Sequence, residues 1–237
     1  MGATGEYFRT LLIGRFGDTG WADESLLAML GQEGLSTFFT ASGLFQDHSG
    51  RGWANPLSYD TFIGLGYLPV LLREGYTGPF APLLREIVRR GAHTRMLMQS
   101  PWGETPVGGR SSQEPWAEAA AALGWEIAAS DALALGDTLS ACQFKRAAAL
   151  AAGSIASWQN PDGSLQVVKN RFPHERRWGW DSYAFRTNFN ANTAAFLALA
   201  HLHANDTIEE CASPADLGGF VFELPEFSAV IANTGGL

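Results

Sequence analysis

Cysteine is almost absent: Cys142 and Cys211 are the only two in 237 residues. Two cysteines supply neither the multi-bridge framework of a small secreted domain nor a four-cysteine zinc site. Cys142 falls within an Ala-rich helical pattern and reads as a small core residue. Charge is also scarce, at 17% of residues, and its balance is acidic, with a formal net charge of −8. Such a chain lacks the basic footprint of a general nucleic-acid binder. No window holds the roughly 18 to 20 apolar residues of a membrane span, so no membrane partner is expected. The first residues, "MGATGEYFRTLLIGRFGDTG", make a poor signal peptide because the apolar run is short and broken by glycine. Glu6 stands where a myristoylation motif has Ser or Thr. Nucleophile-elbow, P-loop, dinucleotide-fingerprint and HExxH motifs are all missing.

What is present is a normal apolar content, 46%, in a chain long enough to bury a core. The middle reads as helix after helix: "ADESLLAMLGQE", "LSYDTFIGLGYLPVLLREG", "PFAPLLREIVRRGAHTRMLMQS", "SSQEPWAEAAAALGWEIAAS", "DTLSACQFKRAAALAAGSIASWQ" and "TNFNANTAAFLALAHLHAN". Ser111 or Ser112 is the expected N-cap of the fourth, Asp137 of the fifth. Alanine dominates these segments, which favours helix and close helix–helix approach. The internal Gly91, Gly124 and Gly153 are expected where backbones touch. Strand signal is weak before residue 206. "SLQVVKN" suits a short β-ribbon, and "GGFVFELPEFSAVIANTGG" reads as extended. Three long loops, "ASGLFQDHSGRGWANP", "SPWGETPVGGRSSQEPW" and "NPDGSLQVVKNRFPHERRWGWDSY", alternate with short connections. Loops of that length are usually functional. Helical hairpins with long loops on one rim and short ones on the other describe an all-α, (α/α) toroid-type partial barrel. A helical domain over 1–210 is followed by an extended or β segment over 211–237.

The chemistry-bearing residues collect in those loops. Lys169–Arg186 holds five basic and two acidic residues in an otherwise acidic chain, mixed with Trp178, Trp180, Tyr183 and His174. Arginine suits bidentate carboxylate recognition and lysine acts as a point charge; indole rings present apolar faces with a polar edge. Lys169, Asn170, Arg171, Trp178, Trp180, Arg186 and Asn188 are the candidate binding residues here, and Tyr183 and His174 the candidates for proton transfer. In "GGRSSQ", Arg110 and Gln113 stand beside a helix N-terminus, which favours an anionic or hydroxyl-rich ligand. His48 and Trp53 complete the set from the first long loop. His201 and His203 are two apart and face different sides of a helix, His93 reads as structural, and neither metal nor cofactor is expected.

The Ala-rich hairpins, "GGRSSQ" before a helix, and "KNRF…GWDSYAFRTNFNANTAAFLALAHLHAND…GGFVF" resemble the α/α-toroid carbohydrate-active proteins, the six-hairpin glycosidase-like and polysaccharide-lyase-like families. The resemblance spans roughly Leu44 to Phe222. It implies a toroid joined to a C-terminal β element, with only the later part of a toroid in this chain. It further implies β-elimination on a uronate-containing polysaccharide, with Tyr183 and His174 as base and acid. Arg110, Gln113, Asn188 and Arg186 would neutralise the carboxylate as enolate-like charge develops. Relatives carry a His and a Tyr where this chain has Arg186 and Phe189. Two alternatives stay open. One is a glycoside hydrolase of the same architecture using two carboxylates drawn from Asp47, Asp60, Glu104, Glu114 and Asp181; the other is a non-catalytic carbohydrate-binding protein. Relatives work mostly in the periplasm or outside the cell.

Overall fold

The computed structural model describes residues 2–30, 38–46, 60–106, 113–173, 176 and 186–234. Within them lie α1 (Gly2–Leu12), α2 (Gly20–Leu30), a π-helical turn (Phe62–Tyr67) running into α3 (Leu68–Arg73), α4 (Ala81–Met98), α5 (Pro115–Ala134), α6 (Thr138–Ser157), α7 (Arg186–His203), α8 (Pro214–Leu217), β1 (Phe220–Leu224) and β2 (Ala229–Asn233). The chain is therefore mostly helical with a C-terminal antiparallel hairpin, in which Phe220 pairs with Asn233 and Leu224 with Ala229.

α5 is the centre. Its run from Trp116 to Leu123 is buried throughout, because alanine adds little beyond the backbone cylinder and neighbouring helices can close on every side. The π/α3 segment, α5 and α7 lie in that order, with α6 against α5 and α4 against α3. The close approach is visible at Gly124, where a Cβ would meet the Leu65 carbonyl oxygen at 2.5 Å. Gly91 likewise faces the Gly43 carbonyl at 2.5 Å. Gly153 differs from expectation: nothing lies within 4 Å of where its Cβ would be, and it sits on an exposed face of α6.

One turn recurs. At Thr40–Gly43, Ser100–Gly103 and Asn160–Gly163 the fourth residue's N–H donates to the first residue's carbonyl, at 3.0, 2.9 and 2.9 Å. The first residue's N–H donates to the carbonyl one place beyond the glycine, at 2.8, 3.0 and 2.7 Å. The three glycines have φ of +82°, +81° and +85°, the left-handed conformation that closes a type I turn with a bulge. They stand at positions 43, 103 and 163, a spacing of 60 residues. The second and third turns follow α4 and α6, and each of the three leads into one of the long loops identified in the sequence. In the first two, the Thr40 and Ser100 hydroxyls also accept from Leu44 N and Glu104 N, at 3.0 and 3.1 Å.

Several elements differ from the sequence reading. α1 was not anticipated. The N-cap of α5 is Glu114, followed by Pro115, and Ser111 and Ser112 lie outside the described residues. α5 also continues past Ser130 to Ala134, into a stretch read as a connection. Asp137 caps α6 as expected, accepting from Ser140 N at 3.0 Å. "SLQVVKN" forms no strand; only an isolated bridge joins Gln159 and Leu165. Cys142 is not a plain core residue, since it is disulfide-bonded to Cys211. The local spacing gave no sign of a partner 69 residues away. The bond sits beside Arg146, which reaches Asp216 at 2.8 Å and Glu210 at 3.2 Å, so residues 210–216 are fastened to α6. The hairpin packs Leu224 against Leu44 and Met98.

Candidate functional site

The second and third turns bring two of the nominated loops together. Lys169 N donates to the Gln113 carbonyl at 2.7 Å, which joins the segment after Gly163 to the start of α5. Gln113 is exposed and has φ of +65°, in the left-handed region that few non-glycine residues adopt. The first turn of α7 closes the same corner. Asn190 Nδ2 donates to the Leu165 carbonyl at 3.3 Å, and the Phe189 ring packs edge-on against Trp116 at 4.9 Å between centroids.

The polar groups at this corner form a carboxylate–ammonium cluster. Lys169 Nζ lies 2.8 Å from Glu118 Oε1 and 3.5 Å from Glu104 Oε1. The same Glu118 oxygen accepts from Thr105 N at 3.0 Å and Thr105 Oγ1 at 2.9 Å. Glu118 is fully buried, and its second oxygen, Oε2, has no hydrogen-bond partner among the described residues. A buried carboxylate oxygen without a donor is costly. One turn of helix earlier, Glu114 is 2% exposed and accepts from Trp116 Nε1. Burial pushes its carboxyl up to about 7, against the downward pull of that single donor. Glu114 therefore exchanges a proton near neutrality, the condition for a general acid or base.

The nominated residues fare differently. Lys169 is only 6% exposed and its charge is committed to Glu104 and Glu118. Asn170 Oδ1 accepts from Phe172 N at 3.2 Å. Arg171 donates to the Ser157 carbonyl at 2.9 Å and lies over the Trp158 ring. These cations hold the loop to the scaffold. Asp60 is a buried partner of Arg95, whose Nε lies 2.6 Å from Asp60 Oδ2, and it also takes Phe45 N; it belongs to the core. Tyr183, His174, Arg110, Trp178, Trp180, His48 and Trp53 lie outside the described residues, as do Asp47 and Asp181. Arg186 and Asn188 belong to the first turn of α7, their side chains outside the description. Thr105, Trp116 and Glu118 were not singled out in the sequence. The signal was "EPWAE", two acids at i, i+4 astride a helix start. Among the described residues, no three His, Cys, Asp or Glu side chains gather as metal ligands.

Compared with protein-family models, curated proteins and solved structures, the chain matches none.

Proposed function

We propose that this chain is a series of toroid-type helical hairpins whose long-loop rim binds an acidic polysaccharide and cleaves it by β-elimination. The observation that carries the reading is the recurring turn. It launches three aromatic- and arginine-bearing loops from equivalent points, 60 residues apart, and the Lys169–Gln113 bond holds two of them side by side. Tyr183 and His174 would move the protons, while Arg110, Gln113, Asn188 and Arg186 neutralise the uronate. Neutralising that carboxylate lowers the energy of the enolate-like intermediate. The disulfide suits an oxidising environment, where such glycans are met.

A second reading, hydrolysis, would draw on Glu114 and Glu118, one helical turn apart, the first pushed up by burial to about 7. Retaining and inverting glycosidases both need one protonated and one ionised carboxyl. A panel of uronate polysaccharides tests both. Elimination leaves an unsaturated uronide, so ultraviolet absorbance is expected to rise with the native chain and to be lost in Tyr183→Phe. Reducing ends without absorbance, lost in Glu114→Gln, would replace elimination by hydrolysis. Silence in both assays, with oligosaccharide retained on the protein, would leave a binding protein.

A further inference from the structure

The rim opposite the long loops carries a different cavity. It has a volume of about 590 Å³, within the range of small-molecule sites. It lies between α4 and α6, over the last turns of α3 and α5. The floor is Val88, Ala92, Ala128, Ala132 and Phe144. The three alanines leave the space: larger residues there would let α4 and α6 seal over α5. An apolar occupant would take the remaining exposed apolar surface here out of water. Exposed Leu135 extends the apolar lip outward.

Charged side chains ring the mouth. Arg73, Arg85 and Arg89 line it, against Asp131 and Asp137. Both acids are engaged: Asp131 lies 3.6 Å from Arg73 and also attracts Arg85 at longer range, and Asp137 caps α6 through Ser140 N. Arg89 is held by Glu86, with two nitrogens at 3.0 Å from its oxygens. His93 uses both ring nitrogens, on the Arg89 carbonyl and on Ser140 Oγ. Arg85 is exposed and makes no hydrogen bond or ion pair among the described residues. A guanidinium beside an apolar hollow suits a chain or ring with a carboxylate at its end.

We propose that this cavity binds a small amphipathic carboxylate of the fatty-acid class, with its head on Arg85 and its tail between α4 and α6. The site lies at the opposite end of the hairpins from the proposed polysaccharide rim and does not depend on that reading.

The test uses the whole chain with decanoate, decanol and decyltrimethylammonium, titrated calorimetrically below their aggregation concentrations. Decanoate is expected to bind one to one, and the neutral and cationic analogues roughly tenfold or more weakly, the difference a charge-assisted hydrogen bond makes. Arg85→Glu is expected to weaken decanoate by at least about that factor, and Ala128→Phe to abolish binding by filling the hollow. Arg85 is at the surface, so its variant is expected to keep the native unfolding midpoint and to carry the test if Ala128→Phe fails to fold. No binding of decanoate, equal binding of all three amphiphiles, or decanoate affinity unmoved by Arg85→Glu would each overturn the proposal.

Discussion

Glu114 stands where burial and ionisation conflict. An unfolded glutamate titrates near 4.5 and the folded one at about 7, so the folded chain holds this proton more tightly. The contribution to stability is then fully present below the unfolded value. It falls as pH rises from 4.5 to about 7, and above that the penalty is constant. Glu114→Gln keeps an acceptor for Trp116 and removes the charge. It is expected to leave stability at pH 4 unchanged and to raise it at pH 8 by on the order of 3 kcal/mol, measured by urea unfolding at both values. Asp216 runs the other way: Arg146 holds its carboxyl down to about 2. Its contribution is present above the ordinary aspartate value and fades as pH falls through about 2, so Asp216→Asn is expected to cost stability at pH 7 and little in strong acid. The sequence singles out Glu114 as a candidate carboxylate but not its burial, and it does not single out Asp216. An acid in "EPWAE" or "SPADL" shows its helix position but not the depth at which it will lie, because depth is set by partners distant in the chain.

The helices were legible because Ala-rich periodic segments state their own conformation, and Asp137 announced a start. The turns were legible in principle: "SPWG" and "NPDG" carry the residues that a type I turn prefers at its first, second and fourth positions. Read singly, "NPDG" suggests a ribbon; read with "TASG" and "SPWG" at a spacing of 60, it shares their turn geometry. What the sequence does not show is how differently the three glycines are used. At Gly103 a Cβ would meet the Leu150 carbonyl oxygen at 1.9 Å and at Gly43 the Gly91 backbone at 2.5 Å, whereas at Gly163 only the Gln159 side chain lies within reach, at 4.0 Å. Gly163→Ala is therefore expected to cost only left-handed strain, about 1 to 2 kcal/mol. Gly103→Ala adds a backbone collision and is expected to cost at least about 3 kcal/mol. Thermal unfolding of the pair separates them. If both cost the same, the second turn does not press on α6 as described.

At the scale of the molecule, one covalent tie closes a long path. Cys142 and Cys211 are 69 residues apart, and the path between them holds most of α6 and the whole of α7. A crosslink of that span restricts the unfolded chain by about 4 kcal/mol on the loop-closure account. Reduction, or Cys142→Ser with Cys211→Ser, is expected to lower the urea midpoint accordingly; an unchanged midpoint would mean that the ion pairs of Arg146 alone hold residues 210–216. The recurring turn has a further consequence, for how such a chain tolerates substitution. At each turn the fastening is local, made of hydrogen bonds among five consecutive residues. Substitutions outside those five residues therefore leave the turn's own backbone hydrogen bonds in place.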